Sequence, residues 1–204
     1  MKISYNTWSY SSFFVWVPSY TLDETIKRIA SLGYDGIEIG AAAPHAYPPH
    51  LGADRRAQVR DLLQEHGIAL SSMLPAPSGG PGNNPASPYI EERRATVEHY
   101  KELAELTAFW GGKTLIYLPG WIIFGTSRRQ AWAWSREVLT EVAAAIAHTG
   151  GTLVSEPTSH DTNLCVNADD AIELMQDVNR PNVKLMFDTF HVNFSREVNT
   201  DYVY

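Results

Sequence analysis

The sequence holds a single cysteine, Cys165, so no internal disulfide can form, which agrees with a reducing compartment. It has nothing near the run of about 18 apolar residues that a membrane span requires. The opening residues, MKISYNTWSY, offer no apolar stretch suited to a secretory signal. The expectation is a cytoplasmic protein without membrane association. Glycine is missing where a dinucleotide site would need it: the turn after the first β-like run reads Ser9-Tyr10-Ser11-Ser12-Phe13, and there is no P-loop. A basic stripe is missing too. The formal net charge is -7, and arginines cluster only as the pairs Arg55–Arg56, Arg93–Arg94 and Arg128–Arg129. Each pair reads as a solvated helix face, which argues against a nucleic-acid partner.

What is present is alternation. With 204 residues and 44% hydrophobic content, the chain can bury a sizeable core, and residues 1–204 read as one domain. Short β-like runs fall at residues 3–8, 36–39, 69–74, 113–118, 152–155 and 183–187. Between them lie helical patterns at 22–32, 54–66, 89–109, 127–148 and 168–177. Strand starts recur at roughly 30- to 45-residue intervals, the size of a βα unit. Such alternation predicts an α/β fold with parallel strands and crossover helices. A Pro-, Gly-, Ser- and Asn-rich loop at 75–88 is long for a compact domain and reads as a functional lid or a disordered segment.

Two architectures fit this order, an open doubly wound sheet and a (β/α)8 barrel of the TIM type. Trp8, Glu38, His45, Glu156, His160, Asp188 and His191 gather at or just after strand ends. Barrels build their sites at that carboxyl face, so the barrel is favoured, with about six βα units in these residues.

Two strands carry the chemistry. Leu153-Val154-Ser155 ends in Glu156-Pro157, and Val183-Lys184-Leu185-Met186-Phe187 ends in Asp188, with His191 three residues on. One βα unit apart, the two carboxylates belong at the same level of adjacent strands. A helix N-cap or a loop ion pair would account for either one alone. Together with His191 they make a donor set suited to Mn²⁺, Co²⁺ or Zn²⁺, while the carboxylates by themselves suit Mg²⁺.

Glu156-Pro157 with Asn163 downstream, then Asp188-Thr189-Phe190-His191, resembles the pattern of the xylose isomerase-like sugar epimerases and isomerases. The likeness is to the tagatose/psicose 3-epimerase and fructoselysine 3-epimerase branch. Leu32-Gly33-Tyr34-Asp35-Gly36-Ile37-Glu38-Ile39, followed by Pro44-His45-Ala46, matches the signature around the second strand. The resemblance implies a metal-dependent ketose 3-epimerase or isomerase that works by proton abstraction through an enediolate. It implies that Glu156 is both metal ligand and acid/base, that Asp188 is a second ligand, and that His191 bonds a substrate oxygen. Mn²⁺ is the first choice of metal, ahead of Co²⁺, Mg²⁺ and Zn²⁺, and the partner is a small sugar.

Further substrate contacts are expected from Glu38, either in the pocket or in a structural ion pair, and from His45 at the rim. Asp161 stands near the place of a family glutamate, in a loop one residue shorter. Trp8 and Trp121 offer rings for a sugar face or for the core. The loop residues Ala41-Ala42-Ala43 carry no arginine for a phosphate, which favours an unphosphorylated sugar.

In the family, a histidine and a glutamate from the seventh and eighth strands complete the metal site, and residues 1–204 stop short of both. That leads to the expectation of a truncated barrel with open edges, completed by a homo-oligomer or another chain. Two further readings stay open. One is a non-catalytic fragment or sugar-binding remnant. The other is an inosose dehydratase-like lyase, which product analysis would separate from an epimerase.

Overall fold

A computed structural model describes residues 1–11, 18–75 and 84–202. Most of the 75–88 loop, and Ser12 and Phe13 of the first turn, lie outside the described residues. Six parallel strands follow chain order: β1 Ser4–Asn6, β2 Gly36–Gly40, β3 Ala69–Leu74, β4 Thr114–Tyr117, β5 Thr152–Ser155 and β6 Val183–Leu185. The helices are α1 Leu22–Ser31, α2 Ala53–Glu65, α3 Ile90–Phe109, α4 Arg128–Ala145, α5 Ala168–Val178 and α6 Thr189–Phe194. The chain divides into two compact units, one of residues 1–76, 102–115 and 149–151, the other of 77–101, 116–148 and 152–204.

In the first unit the register is set by β1–β2 pairs such as Asn6↔Glu38 and by β2–β3 pairs such as Glu38↔Ser72. A register irregularity falls between Ile37 and Glu38. Helix α1 starts at a capping box, in which Thr21 Oγ1 accepts from the Glu24 amide (3.2 Å) and Glu24 Oε2 accepts from the Thr21 amide (2.9 Å). Those bonds to the ionised form hold the Glu24 carboxyl below its usual value. Leu22, Thr25, Ile26 and Ile29 form its buried face. With Ile37, Ile39, Val59, Leu63, Met73, Leu103, Leu106 and Leu115, they make up the first unit's core.

The first strand is shorter than the sequence pattern suggests. It stops at Asn6, whose side chain accepts from the Trp8 amide at 2.7 Å and caps a 3-10 turn over Thr7–Tyr10. Trp8 therefore sits in that turn, where its indole packs against Gly40 at the end of β2.

In the second unit, Tyr100, Ile116, Tyr117, Leu139, Val142, Leu153, Leu174 and Val183 are buried. Cys165 is buried with them, and burial pushes its thiol up to about 12. A thiol held protonated is unreactive. A disulfide-exchange reagent at pH 8 should therefore leave the native chain unmodified and should titrate one thiol only after guanidinium unfolding.

Arg94, Arg128 and Arg129 are exposed, as on solvated faces, while Arg55, Arg56 and Arg93 are half-buried. One member or both of each pair staples elements together. Arg55 makes a bidentate pair with Asp23, while Arg56 pairs with Glu102 and donates to the Leu51 carbonyl. Arg93 donates to the Ser87 carbonyl and lies over the Trp134 ring, and Arg128 joins Asp170 and the Leu164 carbonyl. Guanidinium geometry suits this work.

Candidate metal centre

The site grows from two strand ends of the second unit. Past β5 the chain stays extended for one more residue, since the Glu156 amide donates to the Tyr117 carbonyl at 3.2 Å. Pro157 follows and has no amide to continue the ladder. Glu156 is thereby held at the strand's carboxyl end, 6% exposed.

After β6 the chain turns into α6, a short helix that the sequence reading leaves unassigned. The sixth strand ends at Leu185, two residues before the expected end. Asp188 is the N-cap of α6, its Oδ1 accepting from the Phe190 amide at 2.6 Å. The cap aims the carboxylate along the helix start, and His191 follows one turn later. Glu156, Asp188 and His191 each present a ligand atom, and these atoms all lie within 4.8 Å of one another.

His191 is buried and oriented from outside. Its carbonyl accepts from Ser159 Oγ at 2.7 Å, and its Nδ1 faces the His160 amide at 3.5 Å. Burial pushes the imidazole below its usual value, while Asp188 and Asp161 pull it back up. Behind the site lie the phenols of Tyr100 and Tyr117, their rings 4.9 Å apart. Burial raises both, and the charge of Glu156 adds to the rise at Tyr100. The Tyr100 oxygen accepts from the Leu118 amide at 3.1 Å.

The remaining candidates fall elsewhere. Asp161 is outside the three-residue cluster, where its Oδ1 holds His160 Nδ1 at 2.7 Å. Trp121 is tied through its backbone to Asn84, a buried residue that sequence reasoning passed over. Glu38, in the first unit, is gripped from both flanking strands. Asn6 Nδ2 donates to Oε1 at 2.5 Å and Ser72 Oγ donates to Oε2. These partners are neutral donors, and the register pairs Asn6↔Glu38↔Ser72 explain them.

His45 is also in the first unit and is 5% exposed, inside and not at a rim. Its Nε2 lies 3.1 Å from the Tyr20 carbonyl, while Nδ1 is buried without a partner among the described residues. Desolvation lowers its pKa, with the Tyr20 bond opposing. The folded chain thus binds this proton less readily than the unfolded chain does. Stability is then level above the unfolded value of about 6.5 and falls as pH drops below it. Melting temperatures between pH 7.5 and 5.5 should decline less steeply in His45→Gln than in the wild type.

The donor set of two carboxylates and an imidazole fits a divalent cation. The chain belongs to the xylose isomerase-like TIM barrel family, whose profile matches residues 26–203. It is 25% identical over 168 residues to a fructoselysine 3-epimerase of Escherichia coli O157:H7, covering 82% of this chain and 61% of that protein. A D-psicose 3-epimerase of Ruminiclostridium cellulolyticum is 26% identical over 180 residues, or 84% of this chain and 58% of its own length. The chain therefore spans about three fifths of these curated relatives.

Among solved structures, a D-psicose 3-epimerase determined in the presence of D-fructose superposes with a TM-score of 0.81 at 22% identity, covering 98% of this chain and 68% of that one. The IOLI protein with a bound zinc atom superposes at 0.75 and 21% identity, covering 97% and 66%. At such identities the structural likeness establishes the fold. Among the described residues, no helix is long and apolar enough to cross a membrane.

Proposed function

We propose that the chain carries the proton-abstracting half of a metal-dependent ketose 3-epimerase. The observation that supports this most is the convergence of Glu156, Asp188 and His191 at the ends of two neighbouring strands. Glu156 and Asp188 would hold a divalent ion, with Mn²⁺ as the preferred metal. Bound there, the ion would supply Lewis acidity toward the carbonyl oxygen of a ketose. Glu156 takes the proton from carbon 3, leaving the electron pair delocalised into the carbonyl as an enediolate. His191 would hydrogen-bond a substrate oxygen. Return of a proton to the opposite face of carbon 3 gives the epimer.

Abstraction on one face is enough to wash substrate hydrogen into solvent. Incubated with Mn²⁺ and D-psicose or D-fructose in D₂O, the chain should incorporate deuterium at carbon 3, read by proton NMR. Glu156→Gln should abolish the exchange. Exchange that survives in Glu156→Gln would remove this residue from the role of base, and no exchange in the wild type would remove the reading itself.

A further inference from the structure

His191 stands in a helix too short to hold itself. Helix α6 has six residues, well under the roughly 12 to 15 that an isolated helix needs in water. Asp188 caps its first turn, and just past its other end Glu197 Oε1 accepts from the Ala168 amide of α5 at 3.3 Å. Between those ends, Ser159 reaches in from the loop after β5.

Ser159 Oγ donates to the His191 carbonyl at 2.7 Å. The same carbonyl accepts from the Ser195 amide at 2.9 Å, so it serves two donors. Ser159 is itself well held. The Thr158 carbonyl accepts from the amides of Asp161 (2.9 Å) and Thr162 (3.0 Å), which winds residues 158–162 into one turn. Thr158 is buried and Ser159 half-buried. The next residue of the turn, His160, sets its amide 3.5 Å from His191 Nδ1.

This contact joins the two segments that build the cluster. Ser159 lies three residues past Glu156, and His191 three past Asp188. The sheet already ties these segments together, through the Met186 amide and the Ser155 carbonyl at 3.1 Å. That tie fixes the backbone that leads to the carboxylates, but it stops short of α6. Ser159 carries it on to the residue that bears the imidazole. A misplacement of about 1 Å is enough to cost a site up to roughly 100-fold, so such a tie has functional weight.

We infer that Ser159 is a positioning residue for His191, and that through it Ser159 sets affinity for the ketose but not for the metal. The inference rests on the reading of His191 as a contact to a substrate oxygen.

The test is a double-mutant cycle, with D-fructose titrated calorimetrically into the Mn²⁺-loaded chain. Ser159→Ala should weaken D-fructose binding about three- to tenfold, as loss of one hydrogen bond would, and leave Mn²⁺ affinity within about twofold. Ser159→Thr, which keeps the hydroxyl, should restore wild-type affinity. In a His191→Leu background, Ser159→Ala should cost less than about twofold more, since the two residues act as one unit. A readout that needs neither metal nor sugar is proton NMR of the metal-free chain. There the His191 ring resonances, assigned by their loss in His191→Leu, should move in Ser159→Ala and return in Ser159→Thr. Ring resonances that stay in place, or a full further loss in the His191→Leu background, overturn the positioning role and leave the ketose reading intact. A tenfold fall in Mn²⁺ affinity in Ser159→Ala overturns it too, because Ser159 would then support the whole cluster. No D-fructose binding by the wild type overturns the ketose reading and the inference with it.

Discussion

Replacing Glu156 by Gln and Asp188 by Asn together is expected to weaken Mn²⁺ binding at least about 100-fold, a loss of roughly 2.7 kcal/mol, measured by calorimetry on the folded chain. The substitutions keep the shape of both side chains and remove both negative charges, so they isolate charge as the cause. Loss of a partner that merely orients a metal ligand typically costs about 10- to 100-fold in affinity, so removing two ligating oxyanions should cost at least the upper end of that range.

The metal-free double variant should melt no lower than the wild type. In the wild type, two carboxylates share a site whose ligand atoms lie within 4.8 Å, and they repel each other without an ion between them. Asn at position 188 still accepts from the Phe190 amide, so α6 keeps its cap. Asp188→Ala, by contrast, should lose both metal binding and about 1 kcal/mol of stability. Unchanged Mn²⁺ affinity in the folded double variant would sink the assignment.

The order of elements was legible because strands and helices differ in apolar period, and each βα unit repeats that contrast locally. The two carboxylates were legible for a similar reason. Each terminates a short apolar run, so its position along the chain already says that it stands at a strand end. Local capping chemistry accounts for the errors at the edges. Asn6 ends β1 early by holding the Trp8 amide, and Asp188 opens α6 three residues past the end of β6. An Asn or Asp just past an apolar run is a signal that could have been used for both.

The partners of Glu38 were not legible. They come from strands on either side, and which residue of β1 or β3 faces Glu38 depends on register, a property of pairing and not of any one segment. The burial of His45 and the stapling arginines belong to the same class. Tertiary neighbours decide whether a polar side chain in a loop or on a helix meets water.

Asn84 is another residue whose weight only the folded chain reveals, and it yields the largest expected stability effect. It is fully buried, and its Oδ1 accepts from the amides of Ala86 (3.0 Å) and Trp121 (3.1 Å) while Nδ2 donates to the Trp121 carbonyl (3.0 Å). One side chain thereby satisfies three backbone groups and fastens the segment before α3 to the loop after β4. Gly120 makes room for it. Its φ is +89°, and a Cβ there would run into Asn84 Oδ1 and the Pro85 ring.

Gly120→Ala should therefore combine a left-handed backbone penalty of roughly 1–2 kcal/mol with the disruption of a buried polar clamp, for a total of about 3 kcal/mol. In a chain of this size that corresponds to a fall of about 6–12 °C in melting temperature by calorimetry. Gly33→Ala supplies the control. Its φ is +84°, but nothing lies within 4 Å of the added methyl, so only the backbone term applies. Asn84→Ala should approach the cost of Gly120→Ala, because it strands two amides and a carbonyl away from water. If Gly120→Ala cost no more than Gly33→Ala, the clamp would contribute nothing to stability. The larger loss expected would instead mean that this buried amide organises the loop leading into α4 as firmly as any apolar contact in the unit.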